Sequence, residues 1–483
     1  MHMGRQLVAW LVLAAVAWTL PARADDKKPE TPKGMAGYWL GMLKAGPLSL
    51  RLLIDLKGSD DKLSATLDSP DEGLQNLALS AVKVEGSKFS FTLKVSGAAY
   101  EGKLNEARTE IAGQWKQRGQ ETPLSFKRLD KKPEFAKPQE PKRPYPYRDE
   151  EVVVENKKDK LKLAGTLTLP KGDGPFPAAI LLTGSGPQDR NESLLGHKPF
   201  LVLADYLTRQ GIAVLRCDDR GVGKSTGKFL GSTGADFAED ARSQVAFLRG
   251  RKEIDRQRIG LVGHSEGGIV APLVAADDKD IAYIVLLAGT ALPGADISTA
   301  QVHWLLKAAK MDDKKIEQKL IVQRRLMNVF KTEDDDDKTA KALEAIIDEE
   351  IASLNALEKA LGAAQKKHLF AGQLNKASYA WTRFFVRHDP RPTLAKVTCP
   401  VLALIGEKDF QVSAKDNLPE FEKALRNGAS KDYLVRELKG LNHLFQTAKT
   451  GGIEEYAKIQ ETFAPAALEL VGGWINERVG KTK

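Results

Sequence analysis

Ile259-Gly260-Leu261-Val262-Gly263-His264-Ser265-Glu266-Gly267-Gly268 runs from an apolar strand into a glycine-flanked turn, and Ile269-Val270-Ala271-Pro272-Leu273-Val274 continues it as the start of an apolar helix. This is G-x-S-x-G in a strand-turn-helix setting. A serine in such a turn is held in a strained backbone conformation, and only small residues two positions to either side let strand and helix approach closely enough to keep it there. Gly263 and Gly267 occupy those positions. The short pattern also arises by chance, so the strand before it and the helix after it carry the reading. Ser265 is the candidate nucleophile, lifted above the end of a sheet.

A serine hydroxyl attacks poorly at neutral pH unless a histidine takes its proton and a carboxylate orients that histidine, in chain order Ser, acid, His for this architecture. Both partners lie downstream. Pro400–Ile405 reads as a buried parallel strand and enters Gly406-Glu407-Lys408-Asp409-Phe410, which puts Asp409 in a loop at a strand's carboxyl end. Asp432–Leu438 reads as the next strand, and the loop after it holds Gly440-Leu441-Asn442-His443. Active groups of open α/β sheets collect at those ends. An aspartate after a strand is commonly a turn former or helix cap, and Glu407 and Asp416 are rivals to Asp409. Of the seven histidines, His2 lies in a leader segment, and His303, His368 and His388 fall in a charged helical region where a solvated role is the default. His264 cannot act as base toward its own neighbour, because consecutive side chains diverge at a sharp turn. His443 is the candidate base.

An oxyanion hole needs one backbone N–H from the residue after the nucleophile and one from the loop after the third strand. Glu266 offers the first. Ala178–Thr183 reads as that strand, followed by Gly184-Ser185-Gly186-Pro187-Gln188-Asp189-Arg190, whose glycines free the backbone to aim an amide inward. Ser185 is preferred for the second, with Gly186 behind it, against the plain reading of a Gly/Pro loop. Arg216–Thr226 ends in Gly-Lys-Ser like a phosphate-binding loop, but Asp218 stands where that motif requires glycine. Its acidic and arginine side chains fit better as braces for a long turn after the strand Ile212–Cys217.

Thr183–Asp189, Asp219–Ser225, Gly263–Gly268, Gly406–Asp409 and Gly440–His443 together resemble a bacterial esterase family of the α/β-hydrolase superfamily, related to dienelactone hydrolases and serine aminopeptidase-like hydrolases. The resemblance runs from Val152 to the end with all five motifs in order. It implies carboxylic-ester hydrolysis through an acyl-serine intermediate. Dienelactone hydrolases proper use a cysteine nucleophile, whereas this elbow carries Ser265.

Arg5, the apolar run Leu7–Leu20 and Ala22-Arg23-Ala24 have the form of a secretory signal over residues 1–24, with an A-x-A cleavage site. The run is short for a membrane span, and no cysteine near the cleavage point suggests a lipid anchor, so a periplasmic or secreted protein without a stable membrane anchor is expected. The formal charge of +9 is scattered among acids and forms no basic stripe, which argues against nucleic-acid binding. Cys217 and Cys399 are the only cysteines, and this fold separates them by several strands, so no disulfide is expected.

The 483 residues allow two or three domains. Residues 25–130 hold alternating segments such as Ser49–Ile54, Lys88–Leu93 and Glu110–Trp115 between Gly/Asp/Ser turns, which indicates a small antiparallel β-domain, a barrel or curved sheet closing on itself. Its tryptophans fit core packing better than a ligand cavity. The Pro- and Lys-rich stretch 131–148 reads as a semi-extended linker between two loosely joined cores. Residues 149–291 and 396–483 form the two parts of the α/β-hydrolase core. Between them 292–395 is rich in Lys, Glu, Ala and Leu at helical spacing and reads as a helical cap over the strand ends. Asp334–Asp337 reads as a solvated loop rather than a metal site, and Tyr379–Phe385 as the cap's apolar anchor or part of an acyl pocket.

The expected protein is an α/β-hydrolase with a helical cap, preceded by a small antiparallel β-domain, acting on a small-molecule ester without cofactor or metal. Aminopeptidase activity would require an acidic group near Ser265 to hold a free amino terminus, for which Glu266 and Asp189 are the candidates. Thioester hydrolysis and a non-catalytic binding role on the same scaffold are the other readings. These motifs do not encode acyl or alcohol specificity or oligomeric state.

Overall fold

The computed structural model describes residues 34–45, 48–59, 62–72, 74–117, 119–353 and 375–480; the expected leader 1–24, His2 and His368 lie outside them. The first sheet contains Gly37–Ala45 (β1), Leu48–Ser59 (β2), Lys62–Ser69 (β3), Leu74–Ala78 (β4), Ser80–Glu85 (β5), Lys88–Leu93 (β6), Ala98–Leu104 (β7), Glu110–Gln117 (β8) and Gln120–Leu129 (β9). Its order is β4-β3-β2-β1-β9-β8-β7-β6-β5. Alternation is clearest in β6, where Phe89, Phe91 and Leu93 point inward while Lys88 faces water. The edge strands β4 and β5 follow one another through Leu79, whose N–H donates to Ala65 O at 3.0 Å, and the sheet curls onto itself there. Trp39, Phe89, Phe91, Tyr100 and Phe126 pack inside it.

The second sheet contains Arg148–Asn156 (β10), Leu161–Leu169 (β11), Phe176–Leu182 (β12), Ala213–Cys217 (β13), Ile254–His264 (β14), Tyr283–Leu287 (β15), Val401–Gly406 (β16) and Tyr433–Leu438 (β17). The order is β10-β11-β13-β12-β14-β15-β16-β17, antiparallel at β10–β11–β13 and parallel from β13 onward. Both faces of the parallel part are covered, which is why β12, β15 and β16 are continuous apolar runs with every residue buried; β13 is buried throughout as well and carries one charged residue, Arg216. Helices Pro199–Arg209 and Pro465–Val479 cover one face, and Gly234–Arg249, Gly267–Asp277 and Ala414–Arg426 cover the other. This is the α/β-hydrolase fold.

Helices Gly294–Ala308, Asp313–Thr332, Asp336–Ser353, Tyr379–Arg387 and Pro390–Lys396 lie between β15 and β16. Leu326, Phe330, Leu343, Ile347, Tyr379 and Val386 give them a core of their own. Two expectations fail in this region. Asp334 and Asp335 are exposed loop residues as expected, but Asp336 and Asp337, also exposed, open a helix instead, as acidic side chains favour a helix amino end; Asp334 and Asp336 also pair with Arg387 and Arg383 at 2.6 and 2.7 Å. His388 is not solvated either, because it stacks on Phe384 with Nε2 buried. Burial lowers its pKa. Among the described residues no helix is long and apolar enough to cross a membrane.

The segment 216–226 behaves as a braced turn. Arg220 reaches Asp240 at 2.7 Å and Asp159 at 2.8 Å, and Asp218 pairs with Arg190 at 2.8 Å. Cys217 and Cys399 are buried free thiols.

The stretch 131–148 is extended but not loose. Lys137 Nζ donates to Ala457 O and Ile459 O at 2.9 and 2.7 Å, and the Gln139 amide bonds Thr462 N, Phe463 N and Phe463 O. Leu50 of β2 packs against Leu195, Leu444 and Tyr456 of the hydrolase domain. Composition hides this, because a lysine or glutamine that donates to a backbone carbonyl reads in sequence like any linker residue. Gln139→Ala should therefore lower unfolding stability by about 1–3 kcal/mol, the cost of leaving part-buried backbone groups unpaired. Urea titrations beside the exposed Glu134→Ala check it, and equal midpoints for the two variants would show a free linker.

Candidate functional site

The site begins where β14 gives way to the helix Gly267–Asp277. Ser265 sits at φ +52°, the left-handed region that costs a non-glycine residue roughly 1–3 kcal/mol. Its N–H donates to Leu287 O of β15 at 2.8 Å, and its carbonyl accepts from Gly268 N at 2.9 Å. A Cβ at Gly263 would lie 2.0 Å from Gly267 O, and one at Gly267 would lie 2.2 Å from Leu182 O. Both glycines are thus required by close backbone approach, as the sequence reading expects. Ser265 remains partly exposed at the surface of this turn.

The loops after β16 and β17 bring Asp409 and His443 together. Asp409 Oδ2 accepts from His443 Nδ1 at 2.8 Å, while Oδ1 accepts from Gln411 N and Val412 N at 2.9 and 2.8 Å. The histidine loop is fixed from behind by buried Asn442, whose Oδ1 accepts from Leu444 N and Gln446 N. The rivals lie elsewhere: Glu407 is engaged by Gly440 N and Lys439, and Asp416 stands in the first turn of the helix Ala414–Arg426. Ser265 Oγ and His443 are not hydrogen-bonded to each other among the described residues. They are neighbours through His264, whose Nε2 bonds His443 O at 3.0 Å and whose ring lies 4.9 Å from that of His443.

The loop after β12 lies against the serine, with Gly184 so close that an added Cβ would be 3.2 Å from Ser265 Cβ. Gly184 N donates to Glu192 Oε1 at 2.7 Å, Gln188 N to Asp219 Oδ2 at 2.9 Å, and Arg190 is held by Asp218. That leaves the apex. Neither Ser185 N–H nor Glu266 N–H donates to an acceptor among the described residues, and Gly186 supplies the positive φ of +92° at the turn.

Sequence reasoning missed an inner layer of buried acids. His264 lies between two acceptors, Glu192 Oε1 at 2.8 Å and His443 O at 3.0 Å, so both bonds form together when both ring nitrogens carry protons. Burial opposes that charge, but the Glu192 carboxylate, the His443 carbonyl and Asp409 together outweigh it, and His264's pKa is raised. Asp219, bonded to Thr183 Oγ1 and Gln188 N, is pushed up to about 8 by burial, against the pull of those two bonds and with help from the nearby acids Glu266 and Glu192. Burial likewise pushes Glu266 up to about 7, although Trp381 Nε1 donates to its Oε1 at 2.7 Å. That bond ties the cap helix Tyr379–Arg387 to the residue beside Ser265. The only sequence signal for Glu192 is indirect: a histidine buried at the end of β14 demands a partner. His197, also missed, is structural, with Nε2 donating to Tyr456 O at 2.8 Å, Nδ1 facing Thr462 Oγ1, and burial lowering it to about 4. Among the described residues no group of His, Cys, Asp and Glu side chains is arranged to hold a metal ion.

Fold and site define a hydrolase of the α/β type. The chain belongs to the family described as serine aminopeptidase, S33, whose model matches residues 198–447. It is similar to esterase EstD of Thermotoga maritima, at 28% identity over 255 residues covering 53% of this chain and 52% of that protein. Acyl-coenzyme A thioesterase 1 of Rattus norvegicus matches at 32% over 131 residues, 27% of each chain. The match thus spans about half the length of one relative and a quarter of the other. Among solved structures, an esterase of Pyrococcus furiosus aligns with TM-score 0.42 at 16% identity, covering 69% of this chain and 92% of that one. Est1E of Butyrivibrio proteoclasticus, with ferulic acid bound, aligns with TM-score 0.41 at 17%, covering 68% and 100%.

The His264–Glu192 pair sets a pH signature on stability. A histidine raised on folding stabilises most below its unfolded value of about 6.5, and that contribution is lost as pH rises through the folded value. Glu192→Gln keeps the shape and removes the charge, so it should cost about 3–5 kcal/mol at pH 5.5, as for other broken buried pairs, and less at pH 9. Denaturant titrations of both proteins at the two pH values measure this. A cost independent of pH would show an uncharged pair.

Proposed function

We propose that this chain is an exported serine esterase that cleaves carboxylic esters through an acyl-serine intermediate. The observation that carries the reading is the Asp409 Oδ2–His443 Nδ1 bond of 2.8 Å, formed at two strand ends beside a left-handed Ser265. With Nδ1–H donated to Asp409, His443 keeps the Nε2 lone pair free to act as base. Nε2 takes the Ser265 proton as Oγ bonds to the ester carbonyl carbon, and the carbonyl electron pair moves onto oxygen. The Ser185 and Glu266 amides stabilise that oxyanion. Collapse of the intermediate breaks the carbon–oxygen bond to the alcohol, which leaves with the proton from His443. A water activated by the same base then hydrolyses the acyl-serine. The Ser–His hydrogen bond closes with substrate in place, as catalytic contacts in unliganded sites are often open.

An apolar acyl group fits the cap. A cavity of about 400 Å³ between cap helices is lined by Val302, Leu305, Met327, Phe330, Trp381 and Phe385. Trp381 links it to Glu266, and Gln301, also in its lining, donates to Gln411 O in the Asp409 loop. The aminopeptidase reading lacks its anchor: Glu266 is buried against Trp381, and Asp189 is engaged by Asn191 N, Ser193 N and Ser193 Oγ. The esterase activity named for EstD agrees in reaction type with this reading. Export is supported by the signal-like segment 1–24, and the substrate is a small molecule rather than a nucleic acid.

Ser265→Ala should fold normally, lose fluorophosphonate labelling and drop ester turnover on the order of a million-fold. More than a tenth of wild-type turnover in the folded variant would overturn the nucleophile; failure of the wild-type protein to take the label would favour a binding protein. Asp409→Asn should lower turnover about ten-thousand-fold by presenting the wrong tautomer, with Glu407→Gln and Asp416→Asn within about tenfold of wild type. Assays on p-nitrophenyl esters, acyl thioesters and aminoacyl amides rank the substrate classes, and preference for the amides would reverse the reading.

A further inference from the structure

The ring-packed core of the N-terminal barrel fills only part of its interior. Phe91, Tyr100 and Phe126 stack edge and face at 5.1–6.5 Å, and beside them a cavity of about 610 Å³ is left, walled by Leu43, Leu52, Leu67, Leu77, Leu93 and Trp115. Protein interiors pack as densely as organic crystals and hold few voids larger than a water molecule. This one lies within the roughly 300–1,000 Å³ of ligand sites, in a barrel of a strand number wide enough to hold one small ligand. Leu43, Leu52, Leu67, Leu93 and Trp115 of this lining are buried, from Leu67 at 1% to Leu43 at 8% exposure, while Leu74 and Val95 lie exposed at its rim. Of the charged and amide residues of its lining, Lys44, Glu72 and Gln120 are exposed and Gln117 is half-buried, accepting from Trp115 Nε1. Apolar depth and a polar mouth match a single hydrocarbon tail with a polar head at the surface.

The position of the cavity links it to the second domain. Leu50 lines the cavity and also packs on Leu195, Leu444 and Tyr456, and Leu444 follows His443 in the chain. We propose that the barrel binds the aliphatic acyl chain of a single-tailed amphiphile, as an ester or as the free acid. This site is separate from the cap cavity, and its occupancy does not depend on the esterase reading.

The test uses the full chain carrying Ser265→Ala and a long-chain fatty acid bearing a photoreactive diazirine in its tail, with adducts mapped by peptide mass spectrometry. Saturable labelling within residues 43–122 is expected. Dodecanoate and methyl dodecanoate are the competitors: displacement by the acid alone identifies the free acid, by the methyl ester alone the ester, and by both the tail itself, each supporting the site. Leu67→Trp, which fills the cavity, should reduce barrel labelling by about tenfold or more, because the tail then loses its burial. Absence of saturable labelling, or adducts confined to 298–385 in the cap, overturns the proposal whether or not Leu67→Trp folds. Since Ser265 is already removed, failure here leaves the catalytic reading standing.

Discussion

A backbone crossing with no room for a methyl group governs the hydrolase domain. Carbonyl oxygens stand 2.0 and 2.2 Å from where side chains at Gly263 and Gly267 would begin, and a side chain at Gly268 would begin 2.6 Å from Gly289 Cα. β12, β14, β15 and the helix after Ser265 are thereby locked at one point. The lock holds Ser265 in a conformation it would not adopt alone, because relaxing φ would require several packed elements to move together. The loops after β12, β16 and β17 then need only short, well-tied turns to bring Gly184, Asp409 and His443 to the same place.

Electrostatics around that point follow from burial. Four acids, Glu192, Asp219, Glu266 and Asp409, gather near the strand ends, and full ionisation of all four would set like charges close together with little water to screen them. The structure avoids this. Glu192 is matched by His264, Asp409 faces His443 and two backbone amides, and Asp219 and Glu266 are raised to about 8 and 7, so that near neutrality a large share of each is uncharged. The Glu266 side chain is tied to the cap through Trp381, while its backbone N–H donates to no acceptor among the described residues.

Strand positions and the Ser265–Asp409–His443 grouping were legible because each rests on local pattern: a continuous apolar run, a glycine spacing, a loop at a strand end. The parallel strands were read to within a few residues at either end. Glu192, Asp219 and the docked segment 137–140 were not legible, since their roles are fixed by residues up to 324 positions away. No local signal distinguishes a glutamate under a histidine from one in water. The tetra-aspartate turn shows the opposite limit, where composition suggested a loop but Asp336 and Asp337 enter a helix whose first turn welcomes negative charge.

The loop 189–198 joins all of this. Glu192 and Leu195 are left-handed at φ +52° and +51°, followed by Gly196 at +81°. Glu192 bonds His264 beside the serine, Leu195 N donates to Asp71 O of the barrel at 2.5 Å, and His197 is clamped between Tyr456 O and Thr462. The buried Asp71, paired with Arg51, reaches the loop at Gly196, where a Cβ would lie 2.3 Å from the Arg51 guanidinium. Strained non-glycine residues persist only where their surroundings over-determine them. Here those surroundings come from both domains at once, so the barrel is part of what holds Glu192 under His264. The two histidines of the loop and the elbow differ in their partners: His197, lowered to about 4 by burial, is a structural clamp at the domain junction, whereas His264, raised by its carboxylate partner, ties the elbow to Glu192 and to the His443 carbonyl.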